Sequence, residues 1–262
     1  MRRILVLTAA IVIILPGTTR AQSGTRRPPA RVASSAPASG RVRILLSGGA
    51  QRSLASFHQS FTVTRNVEDE PVTSDLKVGM SGFFDAGVRI RVARRLSVGA
   101  TGFSSPGLAT GSVDAKVPHP FYFSQPRDVT GDLSGLMRKE SGVHIDLAYP
   151  LAVSGRTEVM LFGGPSYIRA EQELVTNVAY DEVYPFDKAT FTSATTAVAK
   201  MGAPGFNVGV DATWRLSRAT RAGALVRYSR ADLTLSPASG NDVSLRAGGL
   251  HVGGTLQFVL GR

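Results

Sequence analysis

Four histidines, His58, His119, His144 and His251, carry the widest chemical range in this chain, and one of them stands two residues from a hydroxyl in His58-Gln59-Ser60. On an extended strand, residues i and i+2 share a face, so His58 and Ser60 side by side could act as base and nucleophile. No acid to orient the imidazole is identifiable from the sequence. No histidine has a partner at metal-ligand spacing, which leaves a zinc site without support, and no cofactor or metal is expected. The absence of cysteine removes disulfide staples, metal–thiolate sites and a lipoprotein anchor. There is no Gly-x-Ser-x-Gly elbow, and Gly248-Gly249 falls within a strand pattern instead of a phosphate loop. The expectation is a protein that is not an enzyme. The chemistry that remains is charge set between apolar neighbours: Asp85, Asp146, Glu158 and Asp211, with Arg89, Arg215, Arg227 and Arg246.

Those charges sit on segments of period two. In Phe206–Arg215, Phe206, Val208, Val210, Ala212 and Trp214 take one face, and Asn207, Gly209, Asp211, Thr213 and Arg215 the other. Such alternation predicts a strand with a different solvent on each face. The pattern recurs at 84–92, 143–149 and 250–260, and more weakly at 42–51, 95–103, 157–169 and 221–229, which makes eight candidate strands. The apolar residues lack the three- and four-residue spacing of an amphipathic helix. Connections alternate in length: short at 93–95, 150–156 and 216–220, long at 52–80, 104–132 and 174–202, with a shorter one near 236–242. Short turns at one end and long loops at the other predict an all-β fold, an eight-stranded antiparallel transmembrane β-barrel, with periplasmic turns and extracellular loops.

The N-terminus points to export. Arg2 and Arg3 precede an uncharged, mostly apolar run from Ile4 to Leu15, and Thr19-Arg20-Ala21 offers small residues for cleavage. Residues 1–21 therefore read as a cleaved signal peptide. Residues 22–40, rich in Pro, Ala, Ser and Arg, read as a flexible arm, leaving 41–262 for the barrel. Of the 262 residues, 30 are Lys or Arg and 19 Asp or Glu; removal of Arg2, Arg3 and Arg20 leaves 27 against 19. Export argues against nucleic acid as the partner of this basic balance. The arginines crowd the short-turn end instead (Arg91, Arg94, Arg95, Arg156, Arg215, Arg218, Arg221), where anionic phospholipid head groups would meet them.

Alternation alone leaves two phases open: lipid outside, or a secreted soluble barrel with an apolar ligand cavity. The aromatics favour lipid outside. On the apolar face Tyr149, Trp214 and Phe258 fall near short turns or the C-terminal end of the pattern. Phe84, Tyr167, Phe206 and Tyr228 fall at the opposite strand ends. Two such rings are what membrane interfaces select. The bore of so small a barrel then holds Asp85, Arg89, Asp146, Glu158, Asp211, Arg227 and Arg246 as paired charges forming a plug, in preference to an aqueous pore. The loop segments Pro118-His119-Pro120-Phe121-Tyr122-Phe123 and Tyr184-Pro185-Phe186 are expected to pack on each other over the barrel mouth, with a recognition surface as the alternative.

With its signal peptide, its turn asymmetry and strands such as Gly205-Phe206-Asn207-Val208-Gly209-Val210-Asp211, the chain over 41–262 resembles the bacterial outer-membrane β-barrel domain proteins of the OmpA-like and OmpW-like porin group. The resemblance implies insertion into the outer membrane by the barrel assembly machinery, a monomer surrounded by outer-membrane lipids, and a structural, porin-like or surface-interaction role. Such proteins usually end in an aromatic residue; here the last residue is Arg262 and Phe258 is the nearest aromatic. His58-x-Ser60 is similar to the His-x-Ser element of outer-membrane lipid A deacylases, small barrels with a catalytic Ser, His and acid, which supplies a second alternative, a lipid A-modifying barrel.

Overall fold

Alternating segments with no helical period form strands, and the computed structural model, which describes residues 41–53, 56–236 and 241–260, contains ten. They are β1 (Val42–Arg52), β2 (Ser56–Arg65), β3 (Glu68–Val78), β4 (Met80–Arg91), β5 (Ser97–Val117), β6 (Arg127–Ser154), β7 (Thr157–Glu182), β8 (Ala189–Arg215), β9 (Thr220–Leu235) and β10 (Val243–Leu260). The signal peptide and arm read from residues 1–40 lie outside the described residues.

Every ladder is antiparallel, and the strands run β5-β4-β1-β10-β9-β8-β7-β6 with β6 returning to β5, so the sheet closes as a ring of eight. Closure removes every edge from the ring. Its members are the eight segments expected from the alternation.

The remaining two strands, β2 and β3, arise where a long loop was expected at 52–80. They form a hairpin whose β3 continues the ladder of β5, Val72–Val78 against Ala109–Ala115. At the other side of the hairpin, the Asn241 N–H donates to the Ser60 carbonyl, 3.3 Å away. The expected long loops at 104–132 and 174–202 are likewise mostly strand, because β5 to β8 run on past the bilayer. β6 has 28 residues; at ~3.3 Å per residue and ~40° tilt that reaches roughly 70 Å, against an apolar band of ~25 Å. β1 and β4, with 11 and 12 residues, cross only once the height that a bilayer needs.

The barrel is thus built in two storeys. In the lower one, at the short-turn end, all eight ring strands surround a bore of polar and charged side chains. In the upper one, β2 and β3 stand above β1 and β4, and the inward residues are apolar: Phe57, Phe61, Leu76, Val113, Leu174 and Leu233 belong to one buried cluster. The Gln59 side chain reaches across this core to β7, donating to the Val175 carbonyl at 2.6 Å and accepting from its N–H at 3.1 Å. A register shift between Val175 and Asn177 disturbs the β7–β8 ladder there, and the amide of Gln59 serves the Val175 backbone groups as a strand would.

Candidate functional site

The lower bore gathers charges from six strands. Arg43 of β1 and Arg221 of β9 both hold Glu158 of β7, at 3.1 and 2.8 Å. Higher up, Arg89 of β4 bonds Asp211 of β8 at 3.0 Å, and Arg227 of β9 bonds Asp85 of β4 at 2.7 Å. The two guanidiniums lie 5.5 and 5.4 Å from the ring centre of Phe162, so the cations flank an aromatic face. Asp146 is buried beside them. Each pair spans the bore, so the charges tie facing walls together, and in a low-dielectric enclosure neither partner is tolerated alone.

Above these pairs lies a tier of rings. His144 Nδ1 is 2.7 Å from Ser166 Oγ, and His251 Nε2 is 3.0 Å from Ser229 Oγ. Phe103 stacks on His144 at 4.7 Å, and Phe83 meets His251 edge-on at 5.1 Å. Next comes Glu140, which accepts from Arg138 at 3.0 Å, from Gln51 at 2.7 Å and from the Gly248 N–H at 2.8 Å. From there the upper apolar core begins.

Six of the seven charges assigned to the bore from the sequence are buried there: Asp85, Arg89, Asp146, Glu158, Asp211 and Arg227. Arg246 is not. Its side chain is 68% exposed and lies 3.7 Å from Asp232 on the outer surface. The apolar residues around it, Val243, Leu245 and Ala247, face inward in the upper storey, and that turns Arg246 out. Arg215 also leaves the bore, donating from the turn end to the Gly155 carbonyl at 3.0 Å. Conversely Arg221, grouped with the turn arginines for lipid contact, is a bore residue.

Arg43, Arg138 and Glu140 were missed. Arg43 alternates with Val42, Ile44 and Leu46, a readable signal in a weak segment. Arg138 and Glu140 lie between the expected loop at 104–132 and the expected strand at 143–149, in neither pattern.

The remaining two histidines, His58 and His119, lie outside the bore. His58 faces out from β2 and lies 3.0 Å from Asp75, its cross-strand neighbour on β3, so an acid is present that the sequence did not identify. Ser60 Oγ, however, accepts from Asn241 Nδ2 at 3.2 Å, and all of this stands on the water-facing side of the upper storey. His119 Nδ1 accepts from the N–H groups of Phe121 and Tyr122, at 3.1 and 3.2 Å, and so shapes its loop.

The loop tips do pack together. Phe121 and Phe186 meet edge-on at 5.4 Å. Arg127 donates to Glu182 at 2.6 Å, to the Phe186 carbonyl at 2.8 Å and to the Pro118 carbonyl at 2.8 Å, joining the β5–β6 and β7–β8 loops. Tyr180, beneath Arg65 and Arg127, has its phenol pushed above the ordinary range by burial. Yet Phe123 and Tyr184 remain 73% and 80% exposed at the tip.

On the outside of the lower storey the phase is reversed. Ile145, Leu147, Val208, Val226 and Val252 are exposed, while their sequence neighbours His144, Asp146, Asn207, Arg227 and His251 are buried. Phe84, Tyr149, Tyr167, Phe206 and Trp214 are exposed on the same outer face, and Tyr228 and Phe258 are partly so. Apolar residues outside and ion pairs inside invert a water-soluble barrel. The chain is a transmembrane β-barrel.

Similar solved structures are bacterial outer-membrane barrels. The outer membrane protein OprG from Pseudomonas aeruginosa is 11% identical over 86% of this chain and 98% of its own, with a TM-score of 0.47. The outer membrane protease OmpT from Escherichia coli is 7% identical over 86% and 97%, also at 0.47. Neisserial surface protein A is 10% identical over 85% and 99%, at 0.40. No protein-family model matches the sequence, and no curated protein is significantly similar to it. The closed ring of ladders, and not these likenesses, establishes the barrel.

Proposed function

We propose that this barrel resides in the outer membrane as a sealed, monomeric scaffold, and that its work is done by the surface it raises above the bilayer and not by its bore. One observation carries this reading: the bore is filled twice, by spanning ion pairs below and by an apolar core above. A passive channel needs continuous polar lining. Phe57, Phe61, Leu76 and Leu174 occupy the loop end of the bore with side chains that water does not wet. Of the roles that suit such a barrel, a structural or surface-interaction role is therefore favoured over a porin-like one. The exposed Phe123 and Tyr184, tied in place by Arg127, offer rigid aromatic anchors of the kind that dominate recognition. The outer-membrane lipids are its surroundings, and the barrel assembly machinery inserts it.

The test is conductance. Protein folded into planar bilayers, verified by a faster-migrating unboiled band on gels, is expected to give no stable ion current. Steady ohmic conductance from such material would overturn the sealed reading. Removing the upper plug by Phe57→Ala and Leu76→Ala together should leave the bilayer just as tight, because the lower ion pairs remain.

A further inference from the structure

Immediately above the upper aromatic ring the outer surface turns basic. Arg230 follows Tyr228 by two residues on β9, and Arg169 follows Tyr167 by two on β7. Arg52 is level with Leu250, which is itself level with Tyr228. Lys139, Lys200 and Arg246 complete the belt, within roughly 15 Å of the aromatics at ~3.3 Å per residue. Interleaved carboxylates are few. Asp232 lies 3.0 Å from Arg230 and 3.7 Å from Arg246. Glu171 lies 3.3 Å from Lys200 and 3.8 Å from Arg169. Glu173, one step further out, is taken by the Met137 N–H at 2.7 Å.

The belt is densest on β1, β9 and β10, where Arg230 and Arg246 line a notch and Arg52 adjoins it through its neighbour Ser53. Gly248 and Gly249, at φ +94° and +138°, form its floor; a Cβ at Gly248 would stand 2.4 Å from the Ser229 carbonyl oxygen, and one at Gly249 2.3 Å from that of Arg52. A notch of about 70 Å³ between Tyr228, Arg230, Arg246 and these glycines has room for one small anionic group.

We propose that this notch seats a phosphate of a lipid head group from the loop-side leaflet. The inference rests on the transmembrane reading, because it is the aromatic ring that sets the height of the belt. At a lipid–water boundary a fork of guanidiniums is the chemistry that recognises phosphate. Basic side chains at that height draw anionic lipid by an attraction that salt screens. Asp232 is shared by the two arginines, and the guanidinium N–H groups it does not take are the donors assigned to the phosphate. The turn end carries as many arginines, but on hairpin tips without such a floor.

The experiment is native mass spectrometry of the detergent-folded barrel with bis-phosphorylated lipid A as the probe. The same glycolipid stripped of phosphate and millimolar inorganic phosphate serve as the other arms. The wild-type protein is expected to retain the phosphorylated lipid, and the stripped lipid at least tenfold less. Arg52→Gln, Arg230→Gln and Arg246→Gln combined should lower retention at least tenfold. Arg94→Gln, Arg95→Gln and Arg218→Gln combined, the same charge removed from the turn end, should leave it unchanged. Asp232→Asn, which frees two guanidiniums and keeps the side-chain size, should raise retention about threefold and serves if the triple variant folds poorly. Equal retention of stripped lipid, an unaffected outer triple, or weaker retention by Asp232→Asn overturns the proposal. Displacement by inorganic phosphate overturns it in favour of a soluble oxyanion site. The heat-dependent gel shift of each sample reports the barrel itself, so a failed transmembrane reading is told apart from a failed lipid site.

Discussion

The lower and upper storeys use the same strands, and their side-chain logic is opposite. On β6 the lower apolar residues Val143, Ile145, Leu147 and Tyr149 are exposed, whereas the upper Val129 and Leu133 are buried. All six are odd-numbered. They change sides because the β5–β6 register shifts between Ala109 and Gly111, opposite Ser134-Gly135, with Gly135 at φ +72°. One extra residue flips everything beyond it to the other face. β9 reaches the same result without a bulge: Val226 and Tyr228 point out, then the apolar positions change parity and Ala231, Leu233 and Leu235 point in. A strand that leaves lipid for water must exchange its apolar face, either by a bulge or by a break in the alternation. On β9 the exchange follows directly on Tyr228, at the height of the upper aromatic ring, whereas on β6 it lies eight residues beyond Val143, which is level with Tyr167.

The comparison breaks most easily in the lower storey. Glu158→Gln leaves Arg43 and Arg221 in the bore without their shared carboxylate, an expected loss of about 3–5 kcal/mol. Urea unfolding in lipid vesicles, followed by fluorescence of Trp214, measures it; the Trp214 backbone pairs with Thr157, beside the altered residue. Adding Arg43→Met and Arg221→Met should recover most of the loss, since two apolar side chains and a neutral amide pack where two unpaired cations could not. A single variant as stable as the wild type would mean that water enters the lower bore freely.

In the upper storey the weak point is packing. Leu76→Ala, at a residue 1% exposed, should cost about 2–5 kcal/mol through the cavity it leaves. Its effect should stay local: faster proteolysis within 56–78 and an unchanged gel shift for the intact barrel. A lost gel shift would show that the two storeys fold as one unit.

The eight ring strands were legible because a transmembrane strand separates lipid from a polar bore, and the alternation of Phe206–Arg215 records that contrast directly. The interior charges followed in part: Arg43 and Arg221 stand on expected strands and were not assigned to the bore, and Arg138 and Glu140 lie just outside the expected strand at 143–149. What escaped was the upper storey. There the outward face carries residues such as Thr73, Asp75, Thr130 and Asp132, and the sequence looks like a polar loop. Phe57 and Phe61 do alternate with His58, Ser60 and Thr62, and Val72 and Leu76 with Thr73 and Asp75, but over stretches shorter than the membrane strands. Arg246 was misplaced because a charge was expected to face the bore: on β10 it shares the outward parity of Leu250 and Val252, and it is the apolar residues that move to the inward positions Leu245 and Ala247. The pairing of His58 with Asp75 needed the β2–β3 register, which no local pattern supplies.

A smaller effect probes how the β2–β3 hairpin is closed. Asn66 and Val67 sit at φ 52° and 67°, the two positions that a two-residue hairpin turn requires to be left-handed. Asn accepts this region, but a β-branched residue there is strained. Val67 is 89% exposed and packs on little. Val67→Gly should therefore raise the stability of the upper storey by about 1 kcal/mol, read as slower proteolysis of the hairpin with the lower storey unchanged. A destabilised hairpin would mean that the Val67 side chain has a partner at the tip.

The smallest expected effect is the sharpest test of the phase exchange. Arg227 and Arg246 occupy neighbouring antiparallel strands, and each is paired with an aspartate, yet Arg227 is 4% exposed in the bore and the Arg246 side chain is 68% exposed outside. Arg227→Gln strands Asp85 in the enclosure and should cost about 3–5 kcal/mol. Arg246→Gln loses a solvent-screened contact with Asp232 and should leave the urea midpoint where it was. Equal losses would place Arg246 inside and undo the change of face on β10. A null for Arg246 beside a large loss for Arg227 would locate the boundary between the storeys on that strand, at the glycine pair Gly248-Gly249 that separates Arg246 from Leu250.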